Sequence, residues 1–238
     1  TLYTNHVFAP AYYGAGVGAA QRTPYGLWTA KAIQRPATWA SGTDTGTGDG
    51  SNNDLALIAV APRTGRFVGD VVGQLGYGWN NYSFYRSVKT GNKYVGAVTT
   101  LGYPGLLDGG GILQRTDGPT FLTLVGGAKQ YWQGSDFTGG SSGGPWVVNF
   151  YSTAPVRTGG GQAGNDSERY VVGVTSWGSA DPNDIKDNYS SRFGQNREFP
   201  AANYGGRGAG NIGALVDALC QRTVPGTGRT FAEAGYCD

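Results

Sequence analysis

Residues 137–146 read FTGGSSGGPW, a run of small residues that holds two adjacent serines between glycines and ends on Pro145 and Trp146. The part GSSGG (140–144) fits the G-x-S-x-G pattern of a nucleophilic serine on a sharp turn. Glycines suit such a loop because they let the backbone turn its amides inward and let a substrate carbonyl approach closely. The segment therefore predicts a serine nucleophile at Ser142 or Ser141, with a plain turn as the alternative.

The only histidine, His6, decides which kind of hydrolase such a serine fits. A serine nucleophile needs a base that accepts its proton. An α/β-hydrolase has its histidine after the serine, and a subtilisin-type enzyme has its aspartate before the histidine, but His6 precedes nearly all of the chain. The order histidine, aspartate, serine remains. Asp54 fits the middle place because it begins the apolar run DLALIAV (54–60) after a polar segment.

The composition favours strands over helices. The 238 residues include 43 Gly, 15 Tyr and 6 Trp, and short apolar or alternating runs are bounded by Gly, Pro, Asn or Asp. This spacing is typical of an all-β sandwich or barrel. One helix is predicted over 212–222, where Ile212, Leu215, Val216 and Leu219 recur at helical spacing.

Charge and hydropathy exclude several classes of partner. With 18 Lys+Arg against 16 Asp+Glu and no long basic block, the chain is not expected to bind nucleic acid. Apolar runs such as LALIAVA (55–61) fall far short of the roughly 20 residues that cross a bilayer, so no membrane partner is expected. Because the chain opens with Thr1, we expect a processed form.

Two cysteines near the end of the chain, Cys220 and Cys237, predict a disulfide bond that ties down the tail, and two free thiols are the alternative. A disulfide fits an oxidising, extracellular setting. Two cysteines and one histidine are too few soft ligands for a structural zinc site. We therefore expect no metal and no cofactor.

Four segments, in this order along the chain, resemble the trypsin/chymotrypsin-like serine proteases. They are TNHV (4–7) for the histidine, NDLALI (53–58) for the aspartate, GGSSGGP (139–145) for the serine and TSWG (175–178) for the substrate-binding wall. GYPG (102–105) and PATW (36–39) are also similar to the secreted microbial branch of this family that includes glutamyl endopeptidases.

The resemblance implies an all-β fold of two six-stranded Greek-key β-barrels. Residues 1–85 would form the first barrel with the histidine and aspartate, 86–211 the second with the serine and pocket, and 212–238 a C-terminal helix and disulfide-tied tail. Only five residues precede His6, so we expect the first barrel to lack its N-terminal strands in this chain. We expect a second, non-covalently retained polypeptide to supply them, with a rearranged first barrel as the alternative.

The resemblance also implies residue roles. Ser142 would attack a peptide carbonyl, His6 would take its proton, and Asp54 would hold the histidine. The N–H groups of Gly140 and Ser142 would bind the oxyanion. The segment Ser176, Trp177 and Gly178 would pair with a polypeptide substrate, with Trp177 covering a side-chain pocket. Ser141 stands where many members carry an aspartate that pairs with a cleaved N-terminus, so that ion pair is not expected here.

Specificity is predicted from two pocket positions. Asp136, six residues before Ser142, stands where trypsin-like members select Arg or Lys at P1, the residue before the scissile bond. Thr175 stands where glutamyl-specific relatives carry a histidine. The chain is thus expected to be a secreted serine endopeptidase, with Arg/Lys ranked before Glu or apolar P1 residues. A catalytically silent, protease-like binding protein is the rival hypothesis.

Overall fold

Strands dominate the structure, as the composition predicts. The structure, a computed structural model, describes residues 5–14, 16–41, 52–150, 159–164, 168–179, 181 and 185–237. Its strands are β1 Val7–Phe8, β2 Trp28–Gln34, β3 Leu57–Val60, β4 Gly76–Trp79, β5 Tyr85–Ser87, β6 Lys93–Gly102, β7 Gln114–Val125, β8 Ala128–Gly134, β9 Pro145–Val148, β10 Gly161–Ala163, β11 Tyr170–Gly178 and β12 Asp187–Arg192. Its α-helices are α1 Ala19–Arg22, α2 Ala37–Ser41, α3 Val68–Val72 and α4 Gly210–Gln221.

Six antiparallel strands close into a barrel. Each strand pairs with the next in the order β6, β7, β8, β12, β11, β9, and β9 pairs back onto β6. The closing strand places Val148 opposite both Tyr170 and Val98. Closure pairs both edges of every one of these strands, which removes the exposed edges of an open sheet. The structure thus confirms the predicted β-barrel architecture.

Aromatic side chains fill this barrel. Phe84 and Tyr131 stack with ring centroids 4.2 Å apart, and both are fully buried. Burial raises the pKa of Tyr131 to about 12. Trp146, at the end of the serine segment, is also fully buried and donates its Nε1 hydrogen to Thr175 Oγ1 at 3.0 Å. The core therefore anchors the C-terminal end of the serine loop.

A smaller antiparallel sheet carries the N-terminal part of the described chain. Its order is β1, β2, β3, with Val7 opposite Thr29 and Gln34 opposite Leu57. One face packs on the C-terminal region, where Ala32 of β2 shares a buried cluster with Leu219 and Phe231. The smaller sheet and helix α4 therefore bury one another's apolar faces.

Strands β4 and β5 belong to the larger sheet. Strand β4 runs parallel to β11, with Gly76 opposite Tyr170, and β5 runs antiparallel to β6. The expected boundary between the barrels at residue 85 lies inside β5. Strand pairing places β4 and β5 in the larger sheet. The local composition of the chain gives no sign of this pairing.

The C-terminal helix is confirmed and begins two residues before the predicted start at Ile212. Gly210 has φ of +65°, and a Cβ there would collide with the carbonyl carbon of Gly194, so only glycine fits. The Cys220–Cys237 disulfide bond is present, with a sequence separation of 17. None of the helices within the described ranges has the length and apolar character needed to cross a bilayer.

Candidate active site

The serine loop is held between two strands of the barrel. Gly143 donates its N–H to Thr175 O and Thr175 donates its N–H to Gly144 O, both at 2.8 Å. Gly140 has φ of +99°, and a Cβ there would lie 2.6 Å from Tyr103 O. The glycines are therefore needed for the loop's conformation and for its close seat against the neighbouring segment.

The two adjacent serines have different environments. Ser141 is 2% exposed, and no residue in the described part of the chain hydrogen-bonds to its Oγ. Its side chain faces inward, because a Cβ placed on Gly102 would lie 3.1 Å from Ser141 Cβ. Ser142 is exposed and lines a pocket. Of the two, Ser142 is the serine that a substrate can reach.

The backbone around Ser142 offers two N–H groups to solvent. Within the described ranges, neither Gly140 N–H nor Ser142 N–H donates to a protein acceptor. Gly139 O accepts a hydrogen bond from Gly105 N–H at 2.8 Å. Because a trans peptide unit is planar, this carbonyl and the following Gly140 N–H point in opposite directions. The contact with Gly105 therefore turns Gly140 N–H away from the GYPG segment.

Asp54 connects the smaller sheet to the strand that holds the serine loop. It lies just before β3, and its Oδ2 accepts a hydrogen bond from Ser176 Oγ at 2.7 Å. Ser176 follows Thr175 in β11, and Thr175 makes the two backbone hydrogen bonds to the serine loop. The half-buried carboxylate of Asp54 therefore bonds to Ser176, the neighbour of Thr175, whose backbone hydrogen bonds hold the serine loop.

His6 directly precedes β1, as Asp54 precedes β3, and both of these strands start toward the same end of the smaller sheet because both run antiparallel to β2. It is half-buried, and its carbonyl oxygen accepts a hydrogen bond from Ala30 N–H at 2.9 Å. The segment after β1 reaches the larger sheet, where Tyr103 donates its hydroxyl hydrogen to Tyr12 O at 2.9 Å. Thr4, the first residue of the TNHV motif, lies outside the described residues.

A buried polar network holds the residue before Asp54, and the sequence reasoning missed it. Asn53 is 1% exposed, and its Nδ2 donates to Glu198 Oε2 at 2.6 Å while its Oδ1 accepts from Asn196 Nδ2 at 2.7 Å. Glu198 Oε2 also accepts from Thr38 Oγ1 at 2.9 Å. Both ends of the Asn53 amide are thus satisfied, which fixes the backbone that presents Asp54. The polar pair Asn52 and Asn53 was the only signal in the sequence.

Replacing Glu198 by alanine is expected to lower the free energy of unfolding by about 1–3 kcal/mol, because the buried Asn53 Nδ2 loses its acceptor. Thermal and urea denaturation measure this change. Glu198→Gln keeps one oxygen acceptor and should lose less. Equal losses in both variants would contradict the assigned role of this hydrogen bond.

The pocket beside Ser142 has a volume of about 170 Å³. Three of the expected substrate-binding residues, Thr175, Trp177 and Gly178, line it. Ser176 instead bonds to Asp54, and Asp136 is exposed and does not line this pocket. The neighbours of Asp136 explain its position, because Ser135 and Phe137 are buried at 7% and 4% exposure and leave the residue between them facing outward.

The wall formed by Trp177 is rigidly supported. Its ring stacks on Tyr189 with centroids 3.9 Å apart and planes at 1°. Its Nε1 donates to Gln130 Oε1 at 3.3 Å, and Tyr189 donates its hydroxyl hydrogen to Asp187 Oδ2 at 3.1 Å. Partial burial, together with the Asp187 carboxylate, raises the pKa of Tyr189. The stacked pair therefore fixes one side of the pocket.

In the part of the chain that the structure covers, we find no group of three or more His, Cys, Asp or Glu side chains that could hold a metal ion. The described residues offer three kinds of group for chemistry. These are the exposed hydroxyl of Ser142, the amide N–H groups of Gly140 and Ser142, and the hydrogen-bonded carboxylate of Asp54.

Comparison with known proteins identifies two solved structures with a similar fold. Neither a protein-family model nor a curated protein matches the chain. Among solved structures, the protease Anisep from Arthrobacter nicotinovorans superposes with a TM-score of 0.55 and 26% identity, over 81% of this chain and 70% of that one. The thermostable serine protease AL20 from an extremophilic microorganism superposes with a TM-score of 0.54 and 22% identity, over 80% of this chain and 70% of that one. The chain therefore has a trypsin/chymotrypsin-like protease fold, and the likeness to Anisep supports a protease-like function.

Proposed function

We propose that this protein is a secreted serine endopeptidase that hydrolyses polypeptides through His6, Asp54 and Ser142. The hydrogen bond from Ser176 Oγ to Asp54 Oδ2 carries the proposal, because it ties the candidate aspartate to the strand that holds the serine loop. The exposed Ser142 beside a pocket and the likeness to two proteases support the same conclusion.

The proposed chemistry is an acyl transfer in two steps. Ser142 Oγ attacks the scissile carbonyl carbon while His6 takes the hydroxyl proton, and His6 then gives this proton to the leaving amine as the C–N bond breaks. Water next attacks the acyl-enzyme, with His6 again as base, and releases the carboxylic acid product. Asp54 holds the imidazole in the required tautomer, and Gly140 and Ser142 N–H groups stabilise the oxyanion.

The substrate backbone is proposed to extend along the end of β11. Ser176, Trp177 and Gly178 form the final residues of this strand, next to the serine loop. An extended peptide that adds there as a further strand would place its P1 side chain in the pocket lined by Trp177 and Gly178. The ranking of Arg/Lys first receives no support from the pocket, because Asp136 does not line it.

The proposal includes an extracellular location. The Cys220–Cys237 disulfide bond supports it, since such bonds persist in oxidising compartments. The assignment to the glutamyl-endopeptidase branch stays a prediction from the segments GYPG (102–105) and PATW (36–39).

A second polypeptide is proposed to cover the smaller sheet. Val7, Phe8 and Ile58 on its strands are 55%, 49% and 46% exposed, and a group of exposed apolar side chains marks a surface that a partner can cover. Intact mass measurement and N-terminal sequencing of native material test this, with a co-purifying second chain as the expected result. A single species that starts at Thr1 and is active alone would contradict it.

Incubation of the protein with a denatured protein substrate tests the proposed activity against the rival of a silent binding protein. We expect cleavage at internal peptide bonds, detected by mass spectrometry, and loss of cleavage after treatment with a serine-directed fluorophosphonate. Absence of both cleavage and labelling would favour the binding protein.

A further inference from the structure

One residue that lines the pocket beside Ser142 carries a buried polar atom without a protein partner in the described part of the chain. Asn188 of β12 is 2% exposed and lines the pocket. Its Oδ1 accepts no hydrogen bond from any residue that the structure describes. Buried acceptors without hydrogen-bond partners are rare in native proteins. A donor on the side chain of a bound ligand would provide the missing partner of this acceptor.

The orientation of the Asn188 amide is fixed by its own hydrogen bonds. Its Nδ2 donates to Phe137 O at 3.0 Å and to Asp187 O at 2.9 Å. A flipped amide would place its oxygen against these two carbonyl oxygens and lose both bonds. Oδ1 is therefore the atom of the Asn188 amide that has no protein partner among the described residues.

Two hydroxyl groups complement this acceptor. Thr175 Oγ1 accepts from Trp146 Nε1 at 3.0 Å, and Thr138 Oγ1 accepts from Leu106 N–H at 3.2 Å. Each hydroxyl also carries one proton that it can donate. Both threonines line the pocket, and no charged side chain does so among the described residues. The pocket thus presents an amide acceptor and hydroxyl donors in neutral surroundings.

These groups discriminate between classes of side chain. A Lys or Arg cation would enter a buried site without a carboxylate partner, and a Glu carboxylate would meet the lone pairs of Asn188 Oδ1. An apolar side chain would leave Oδ1 unpaired. A carboxamide donates N–H to Oδ1 and accepts from a threonine hydroxyl, while its methylene groups pack on Phe137. Of the cationic, carboxylate, apolar and carboxamide side chains, only the carboxamide satisfies both kinds of group without burying a charge.

We infer that this pocket binds an uncharged carboxamide side chain, glutamine or asparagine, at P1, and that Asn188 determines this specificity. The inference rests on the proposed peptidase function, because P1 is defined only for a protein that cleaves peptides.

A series of fluorogenic peptides that differ only at P1 tests the inference on the native protein. We expect kcat/KM for the better of Gln and Asn to exceed that for Glu, Lys, Arg and the near-isosteric Met by about tenfold or more. A preference for Arg or Lys, for Glu, or for Met over both carboxamides would overturn it.

Substitution of Asn188 by alanine tests the assigned residue. The ratio of kcat/KM between Gln and Met substrates is expected to fall by about tenfold, because both substrates then meet the same pocket without the acceptor. The matched control is Asn203→Ala, at an exposed asparagine that bonds to Gly206 N–H and does not line the pocket. An unchanged ratio in a folded Asn188→Ala variant would overturn the assignment to this residue. If this variant does not fold, the native P1 series decides the inference alone.

The experiments distinguish a failure of the proposed peptidase function from a failure of the carboxamide inference. If the protein cleaves no peptide of the series and does not react with a fluorophosphonate, the peptidase function fails. If it reacts and cleaves peptides with another P1 preference, the function stands and only the carboxamide inference is overturned.

Discussion

Replacing Ser142 by alanine is expected to lower kcat/KM for peptide hydrolysis by about 10⁴- to 10⁶-fold, because the variant has no atom that can form the acyl-enzyme. The loss should be in kcat, with KM little changed, since alanine keeps the pocket and the backbone N–H groups in place. Initial rates with a good P1 peptide measure it, and denaturation curves verify that the variant remains folded.

Ser141→Ala is the matched control for this substitution. Ser141 is buried, and its Oγ bonds to no described residue, so removal of the hydroxyl costs the fold little. We expect kcat/KM to stay within about threefold of the native value. Large loss in Ser141→Ala together with full activity in Ser142→Ala would exchange the roles of the two serines and contradict the site described above.

Replacing Asp54 by asparagine is expected to lower kcat by about 10⁴-fold, measured as initial rates on the same peptide. The carboxylate is proposed to accept a hydrogen bond from the His6 imidazole, whereas an amide group that donates to His6 would hold the wrong tautomer. The fold should persist, because the side-chain amide introduced by Asp54→Asn keeps an oxygen that can accept the hydrogen bond from Ser176 Oγ, which lies 2.7 Å from Asp54 Oδ2 in the native protein.

Two further substitutions separate the role of this carboxylate from general effects. Asp217→Asn removes a charge on α4, where Asp217 accepts from Gln221, and should leave activity within about twofold. Ser176→Ala removes one hydrogen bond to Asp54 but leaves its charge, so we expect a loss of about tenfold or less. An Asp54→Asn variant as active as Asp217→Asn would show that Asp54 is not the orienting carboxylate.

The sequence was sufficient to predict the mostly β architecture and the C-terminal helix. Many glycines and aromatics in short bounded runs predicted an all-β sandwich or barrel, and the family resemblance chose the barrel. The regular spacing from Ile212 to Leu219 predicted α4 to within two residues. The order of motifs also placed Thr175, Trp177 and Gly178 beside Ser142, where the pocket has them. These features follow from local patterns and chain order.

Features that depend on which side chains face each other could not be predicted. Counting back six residues from Ser142 reached Asp136, but the count does not say which residue of an alternating segment points inward, and Phe137 does so. The hydrogen bond between Asn53 and Glu198 joins residues 145 positions apart, and no pattern in either segment marks the other. The acceptor on Asn188 likewise became apparent only from its two carbonyl partners.

Mass spectrometric mapping of a fluorophosphonate adduct tests the central claim most directly. Cleavage after Phe137 and Trp146 releases the segment 138–146, in which fragment ions distinguish Ser141 from Ser142. We predict a single adduct on Ser142, its formation prevented when His6 is replaced by alanine. An adduct on Ser141 or on any other residue, or no adduct on the folded native protein, would contradict the assignment of Ser142 as the nucleophile.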